Sequence, residues 1–318
     1  MYGAILGDII GSPYEGEEAY TKDFPLFRKR SHFTDDTVMT IAVAETFLNA
    51  NGGLKTLRRT GLDIFDVVPT VLIESMQKWG RKYPHAGYGG KFKEWLYQEN
   101  PRPYNSYGNG SAMRVSPVGW VHNRVNWTEA LARWTASVTH NHEEGIKGAQ
   151  SVAVAICMAR MGNSKKEIKD YIENHFGYDL SRTIEEIKPE YYFEVSCQKS
   201  VPESIIAFLE SEDFESAVRN AIWLGGDADT QAAIAGSIAE AFYGIPEDLI
   251  AECRDRLPDD MLEVLDKFYE SIGGVKIDNT QNGKEKSLKS SAKIRSDRMD
   301  KFTWSAGDLK IIKSKNNN

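Results

Sequence analysis

The stretches FTDDTVMTIAVAETFL (33–48) and GGDADTQAAIAGSIAEAFYG (225–244) decide the fold class of this chain. Each begins with a turn rich in Asp and Thr and continues as a long segment that is apolar on nearly every face. The apolar residues are too dense for the two-residue alternation of a strand, so both segments predict helices. A helix that lacks a polar face lies inside a protein. We therefore expect two central, buried helices.

Helical patterns recur along the rest of the chain, and neither an alternating strand series nor a repeat of fixed period accompanies them. Further helices are predicted at 130–138, 146–160, 164–175, 203–210, 213–222 and 259–271. Small residues in the second buried segment would let neighbouring helices approach closely; they are Ala232, Ala233, Gly236 and Ala239. The predicted fold class is all-α, a single multi-helix orthogonal bundle.

The composition changes after Gly274, and this change predicts the domain organisation. Residues 274–318 are polar and rich in Lys and Ser until a short apolar end, FTWSAGDLKII (302–312). A polar segment that has few large apolar residues cannot build a core of its own. We expect one folded domain over residues 1–273 and a flexible extension over 274–318.

The bulk composition narrows the possible partners. The 318 residues carry a net charge of −7, which argues against electrostatic capture of nucleic acid or of an anionic membrane.

The three cysteines are odd in number and far apart, so they do not form a disulfide framework or a zinc motif. The N-terminal MYGAILGDIIG lacks the basic region of a signal peptide. We expect a monomeric cytoplasmic protein.

Two acid-dense segments are the strongest candidates for a functional site. Thr34-Asp35-Asp36-Thr37 precedes a helix predicted to begin near Val38, and Asp227-Ala228-Asp229-Thr230 precedes one predicted to begin near Ala232. Helix capping is one explanation, because Asp and Thr satisfy free N–H groups at helix starts. Capping needs only one such residue per helix, whereas four clustered carboxylates repel one another. A divalent cation bound by oxygen ligands is the other explanation.

Three further segments carry chemistry. Asp8 falls in a predicted buried helix, whereas Glu15 follows it in a loop bounded by Gly and Pro, where it is either solvated or catalytic. YNSYGNGSAMR (104–114) offers a tight backbone turn whose N–H groups can bind phosphate, although many Asn/Gly clusters are ordinary turns. His140 and His142 precede a helix predicted to start near Glu143, and they either hydrogen-bond a nucleotide or ribose or are simply one buried and one surface histidine.

Taken in order, these segments resemble the ADP-ribosylglycohydrolase family, which includes the dinitrogenase reductase-activating glycohydrolases. The matching motifs are GAILGDIIGSPYE (3–15), FTDDT (33–37), GNGSAMR (108–114), VTHNHEEGIKGA (138–149) and LGGDADT (224–230). The resemblance spans residues 1–245. It is specific because five motifs recur with family-like order and spacing.

The resemblance implies an all-α domain with two divalent cations, Mg²⁺ or Mn²⁺, in a central cleft. It assigns as metal ligands Thr34, Asp35, Asp36, Asp227, Asp229 and Thr230. Glu15 matches a mobile glutamate that approaches the metals, and Asp36 is the other candidate for moving protons. Because a metal-bound carboxylate is a weak base, Asp36 would serve mainly as a ligand.

The resemblance also implies a substrate. Residues 108–113 match the loop that cradles the ADP-ribose phosphates, so the expected binding residues are Asn109, Gly110, Ser111, Ala112, Met113 and His140. The expected activity is hydrolytic removal of ADP-ribose from an acceptor at the C1″ glycosidic bond. The acceptor is an ADP-ribosylated protein or small molecule, and a nucleic acid acceptor is not excluded. The alternatives are a non-catalytic ADP-ribose-binding module and a dimetal nucleotide phosphohydrolase.

Overall fold

Helices form the regular structure of the computed structural model, which describes residues 1–16, 19, 21–49 and 64–273, the side chains of 64–68 excepted. In chain order they are α1 (Tyr2–Gly11), α2 (Asp35–Asn49), α3 (Ile64–Lys82), α4 (Gly90–Leu96), α5 (Gly110–Met113), α6 (Val118–Val121), α7 (Val125–Ser137), α8 (Glu143–Arg160), α9 (Lys165–Phe176), α10 (Ile184–Ile187), α11 (Cys197–Leu209), α12 (Phe214–Leu224), α13 (Ala228–Tyr243), α14 (Glu247–Asp255) and α15 (Asp259–Ser271).

The predicted all-α class is confirmed. Over the described residues no strand occurs, and the one β-bridge pairs Gly108 with Ser196. Helices α2, α8 and α13 coincide with the apolar segments that the sequence marks as central, and nearly all their residues are buried. The predicted extension, 274–318, lies outside the described residues. In the described part of the chain, no helix combines the length and the hydropathy that crossing a bilayer requires.

Several boundaries predicted from the sequence are wrong. Helix α2 begins at Asp35 rather than near Val38, and α13 begins at Ala228 rather than near Ala232. The helix predicted at 203–210 begins earlier, at Cys197. Helices α3, α4, α6 and α14 have no counterpart in the prediction. Boundary errors of this kind arise because Asp and Thr suit both the cap and the first turn of a helix.

The closest helix contact in the core joins α1 to α13. Gly3, Gly7 and Gly11 recur every four residues and so share one face of α1. A methyl group placed on Gly7 would lie 2.1 Å from the carbonyl oxygen of Ala232, and one on Gly3 would lie 2.2 Å from that of Gly236. The two backbones therefore touch, as the small residues of α13 predict.

This contact fixes the depth of the site residues. Gly11 packs against Asp229, where a methyl group would lie 2.4 Å from its Cα. Asp8 lies one residue from Gly7 in the same fully buried helix. Because the helix axes are held together by backbone contact, the carboxylates of Asp8 and Asp229 are brought to one end of the same interface.

Substituting Gly7 tests the contact. Gly7→Ala should lower the free energy of unfolding by at least about 3 kcal/mol, the upper range for overpacked cores, because the methyl group has no space and its neighbours are backbone atoms. Urea denaturation measures the change. Gly90→Ala is the matched control, since Gly90 is the first residue of α4 and a methyl group there would meet no atom within 4 Å, and it should not lower the stability. Equal stability of the two variants would contradict the contact.

Candidate active site

The two acid-dense segments meet in the fold. The hydroxyl of Thr230 donates to Oδ2 of Asp36 across 3.2 Å, although the residues are 194 positions apart. Asp36 lies in the first turn of α2 and Asp229 in the first turn of α13. Each pair of acids thus lies at a helix N-terminus, where the helix dipole favours negative charge. The contact between the two acid-dense segments was plausible from the sequence, and the packing of the helices produces it.

Asp8 ties the start of α2 in place. Its Oδ1 accepts a hydrogen bond from the Thr34 hydroxyl at 2.8 Å. Its Oδ2 accepts from the backbone N–H of Thr34 at 2.8 Å, from the N–H of Thr37 at 3.0 Å and from the Thr37 hydroxyl. Asp8 therefore does from α1 what a capping residue would do from within α2. Asp8 is thus a buried carboxylate whose two oxygens are both hydrogen-bonded, in the buried helix that the sequence predicts.

Because Asp8 caps α2, helix capping does not explain Asp36 or Asp227, whereas Oδ1 of Asp229 accepts from the N–H of Thr230 in the first turn of α13 at 2.9 Å. Oδ1 of Asp36 is buried and has no hydrogen-bond partner among the described residues. Asp227 is the N-cap residue of α13, yet its side chain makes no capping hydrogen bond. It accepts instead from the amide of Asn109 at 2.6 Å. A buried carboxylate oxygen without a partner is unfavourable unless something else binds it.

The carboxylates are arranged in two groups that share Asp229. Oxygens of Asp8, Asp36 and Asp229 lie within 4.8 Å of one another, and so do oxygens of Glu15, Asp227 and Asp229. The four hydrogen bonds to Asp8 use both of its oxygens, so we assign it a positioning role and leave Asp36 and Asp229 as the open donors of the first group. Such oxygen donor sets fit Mg²⁺, Mn²⁺ or Ca²⁺.

The electrostatics of the cluster fit a cation as well. Burial, followed by the charge of Asp8, raises the pKa of Asp35 to about 8. Burial also raises the pKa values of Asp36 and Asp229, and the neighbouring carboxylates add to the effect. Burial and then Asp227 raise the pKa of Glu15. Burial and mutual repulsion therefore favour the protonated form of these carboxylates unless a positive charge lies beside them.

A cavity of about 490 Å³ opens over this cluster. The predicted site residues that line it are Glu15, Thr34, Asp35, Asp36, Asn109, Gly110, Met113, His140, Asp227, Asp229 and Thr230. The side chains of Ser111 and Ala112 are buried beneath the loop and do not line it. The Ser111 hydroxyl turns inward and donates to the carbonyl of Gly145 at 2.6 Å.

The loop at 108–111 borders the cavity through Gly108, Asn109 and Gly110 and carries free backbone donors. The N–H of Asn109 donates to the carbonyl of Val195 at 2.8 Å, which pins the loop to the segment before α11. The N–H groups of Gly110 and Ser111 have no acceptor within the described part of the chain. Free N–H groups at a helix start are the donors that phosphate oxygens use in proteins. The loop can therefore serve as the anion cradle that the sequence predicts.

His140 is held in one protonation state by a buried relay. Arg114, which can only donate, bonds to the hydroxyl of Thr139 at 2.8 Å and to the carbonyl of Gly110 at 2.9 Å. The Thr139 hydroxyl is 2.7 Å from Nδ1 of His140, and because it accepts from Arg114 it can donate its own proton to that nitrogen. In that tautomer Nε2 of His140 carries the ring proton beside Gly110. Burial, followed by the charge of Arg114, lowers the pKa of His140 well below its ordinary value and keeps the ring neutral.

His142 takes no part in the cavity. Its Nδ1 accepts from the N–H of Glu144 at 3.1 Å and caps α8, and its ring packs against Tyr107. Sequence reasoning missed several residues of the site: the capping role of Asp8, the relay from Arg114, and the lining residues His32, His85, Lys91, Phe193 and Val195. Arg114 lies within the GNGSAMR motif, which could have pointed to it. Asp8 lies within the GAILGDIIGSPYE motif, whereas His32, His85, Lys91, Phe193 and Val195 lie outside all five motifs.

Comparison with known proteins agrees with the fold and identifies the family. A family model described as ADP-ribosylglycohydrolase matches residues 1–277. ADP-ribosylhydrolase ARH3 of Homo sapiens is 27% identical over 340 residues, covering 82% of this chain and 90% of that protein. ADP-ribosylarginine hydrolase Tri1 of Pseudomonas putida (strain GB-1) is 24% identical, covering 77% and 70% of the two chains.

A solved structure titled ADP-ribosylglycohydrolase-related protein complex shares the fold. It superposes with a TM-score of 0.62 at 24% identity, covering 85% of this chain and 95% of that chain. The family model, the named hydrolases and the shared fold agree with the five sequence motifs. This chain belongs to the ADP-ribosylglycohydrolase family and is a glycohydrolase that acts on ADP-ribosyl groups.

Proposed function

We propose that this enzyme uses divalent cations, Mg²⁺ or Mn²⁺, to hydrolyse the C1″ glycosidic bond between ADP-ribose and its acceptor. The observation that carries the proposal is the convergence of Asp36, Asp227 and Asp229 beneath one cavity, where one buried oxygen of Asp36 has no hydrogen-bond partner among the residues that the structure describes. The names of the relatives, ADP-ribosylhydrolase and ADP-ribosylarginine hydrolase, support ADP-ribose as the released group. They support an ADP-ribosylated protein as the substrate.

Two cations fit the donor set. Asp36, Thr34 and Thr230 would hold one, Asp227 and Glu15 would approach the other, and Asp229 belongs to both groups. Asp35 borders the cavity beside them. When bound, the cations supply positive charge that orients ribose hydroxyls and favours ionisation of water. The pKa values of these acids are high because their negative charges are buried close together. A bound cation would supply the opposite charge and favour the ionised carboxylates.

The remaining roles follow from the chain itself. The N–H groups of Gly110 and Ser111 would donate to the phosphate oxygens, and Nε2–H of His140 would donate to the same half of the substrate. Met113 lines the floor of the cavity. Glu15 lies in the turn after α1 and its pKa is raised, so its carboxylate can take a proton from water or give one to the departing acceptor. The transition state of such a reaction is oxocarbenium-like.

Removal of the metal tests the proposal directly. The full-length protein is incubated with an ADP-ribosylated protein, and free ADP-ribose is measured by chromatography. We expect release with Mg²⁺ or Mn²⁺ and at least a roughly hundredfold loss in chelator, since the charge that the acids lack is then removed. Full activity in chelator would rule out the metal. Appearance of AMP or phosphate in place of ADP-ribose would favour a nucleotide phosphohydrolase.

Two substitutions separate the proton carrier from the ligand. Glu15→Gln should lower kcat by about 10²–10⁴, the range for a lost general acid or base, while Mn²⁺ still raises the Tm. Asp36→Asn should lose both the activity and the rise in Tm, because it removes a ligand. Kinetics and thermal unfolding with and without Mn²⁺ give the two readouts. Glu247→Gln, on an exposed residue of α14, is the control and should change neither. Loss of the Mn²⁺ response in Glu15→Gln would make Glu15 a ligand instead.

The raised pKa values predict a pH-dependent stability of the metal-free protein. Asp35 titrates near 4 when unfolded and at about 8 when folded, so between these values the folded state binds more protons than the unfolded state. Stability is therefore highest below this window and falls as the pH rises through it. We expect the metal-free Tm to drop by roughly 3 °C or more between pH 5 and pH 8, and Mn²⁺ to reverse the drop. Asp35→Asn should flatten the profile, and a Tm that rises over this interval would contradict the assignment.

A further inference from the structure

The backbone beside Glu15 is joined to the backbone beside Asp227. The N–H of Gly16 donates to the carbonyl of Gly226 at 3.3 Å, and these two glycines are the direct neighbours of Glu15 and Asp227. Carboxylate oxygens of the two acids lie within 4.8 Å of each other. One hydrogen bond does not fix the direction of a side chain. The placement of the Glu15 carboxylate therefore also depends on the residue before it, Tyr14.

Tyr14 is held by the chain that follows it rather than by the acid cluster. It is 1% exposed, and its ring centroid lies 4.8 Å from that of Phe24. The guanidinium of Arg28 lies 4.0 Å from the centroid of the same ring, and the Tyr14 hydroxyl donates to the carbonyl of Pro25 at 3.4 Å. A displacement of this segment would therefore displace Tyr14, and Glu15 with it.

Arg219, on α12, holds that segment in turn. Its Nη1 donates to the carbonyls of Lys22 at 2.9 Å and Phe24 at 2.7 Å, which are 197 and 195 positions away. Its guanidinium lies 4.9 Å from the centroid of the Phe24 ring, and its Nε donates to Glu215 on the same helix at 2.7 Å. The Arg219 side chain is 20% exposed. Charged hydrogen bonds and a ring contact thus fix both the backbone and the side chain of Phe24.

Helix α12 also leads directly to the second acid-dense segment. It ends at Leu224, three residues before Asp227. The same helix therefore positions Asp227 through the chain and Phe24 through the Arg219 side chain. Because Phe24 contacts the residue before Glu15, the separation of the Glu15 and Asp227 carboxylates depends on α12 from both sides.

We infer that Arg219 is a positioning residue for Glu15. It does not line the cavity, so it would act through the rings of Phe24 and Tyr14. The inference rests on the proposed function, in which Glu15 moves a proton. Proton transfer needs the carboxylate within hydrogen-bond reach of the reacting atom, and a misplacement of about 1 Å can cost about a hundredfold in rate. The ADP-ribose phosphates would bind at 108–111, so their binding should not need Arg219.

Arg219→Ala tests the inference by separating kcat from KM. The full-length variant is assayed with Mn²⁺ and the ADP-ribosylated protein that the unmodified enzyme hydrolyses. We expect kcat to fall about 10- to 100-fold. KM, and the Kd for free ADP-ribose from calorimetry, should change by less than about twofold. Arg219→Lys should regain part of the lost kcat, because an ammonium can donate to the two carbonyls but lacks the planar guanidinium that covers the Phe24 ring.

Arg160 provides the matched control. Its Nη1 donates to the carbonyls of Gly119 at 2.7 Å and His122 at 3.4 Å, and its guanidinium lies 4.9 Å from the ring of Trp120. Arg160→Ala removes the same kinds of contact at the far end of α8 and should leave kcat unchanged. Urea denaturation gives the stability of each variant, and the assays run below every unfolding transition. An equal loss of kcat in Arg160→Ala would attribute the effect to stability and overturn the inference.

The double variant Glu15→Gln/Arg219→Ala gives a readout that a merely structural role would not produce. If Arg219 acts through Glu15, its removal costs nothing further once the carboxylate is gone. The double variant should therefore keep the kcat of Glu15→Gln within about twofold. A further loss of about tenfold would mean that Arg219 acts by another route, and the inference would be wrong.

Failure of the inference and failure of the proposed function give different results. If Glu15→Gln lowers kcat and Arg219→Ala does not, the inference is wrong and the proposed function stands. The same holds if Arg219→Ala raises KM and keeps kcat, because the residue would then serve substrate binding. If Glu15→Gln keeps its full kcat in Mn²⁺, the proton-carrying role in the proposed function fails and the inference fails with it.

Discussion

The backbone contact between α1 and α13 is the constraint on which the site depends. Three glycines spaced four residues apart on α1 remove every side chain from one face of the helix, and Ala232 and Gly236 on α13 keep the opposite face small. The two helices can therefore lie closer than helices that carry side chains at the contact. Asp8 and Asp229 reach the same end of the interface because no side chain separates the helices that carry them.

Asp8 then links α1 to the start of α2. Its four hydrogen bonds fix Thr34 and Thr37, so the turn that carries Asp35 and Asp36 is tied to α1 rather than only to its own helix. The N–H groups of Thr34 and Thr37 at the start of α2 donate to Asp8 of another helix. The carboxylates of Asp35 and Asp36 are therefore not needed to cap α2. Three segments far apart in the chain are thus joined by hydrogen bonds to one buried carboxylate and by one hydroxyl contact from Thr230 to Asp36.

The gathering of acids is unfavourable by itself. Burial raises the pKa values of the carboxylates, and each neighbouring charge raises them further. A fold that only needed helix caps would not collect them, since Asp8 alone caps α2. The cost is understandable if the cluster binds divalent cations, because a cation turns the repulsion between carboxylates into attraction to a common partner. On the opposite wall, neutral His140 and the free N–H groups of the loop add donors without adding charge.

Some of the site could be predicted from sequence because its signals are local. Asp and Thr at the start of an apolar segment, or Gly and Asn in a tight loop, form short patterns that predict candidate ligand-binding residues from a few positions. The helix starts were misplaced by three or four residues, since the same residue types suit the cap and the first turn. Asp8 could be recognised as buried, but its partners Thr34 and Thr37 could not be identified, because they lie 26 and 29 positions away. The motif that contains Arg114 could be recognised, but its hydrogen bond to Thr139, 25 positions away, could not.

By itself, the sequence determined the helical class, the two acid-dense segments, the glycine loop and, through five motifs, the family. Helical periodicity and motif spacing can be recognised in the sequence alone because they depend on residues that are near one another along the chain. Only the tertiary structure decided which carboxylates are capping groups, which are open donors, and that His140 is held neutral. Those properties depend on burial and on contacts between residues far apart in sequence, and burial sets both the pKa of a carboxylate and the partners it can reach.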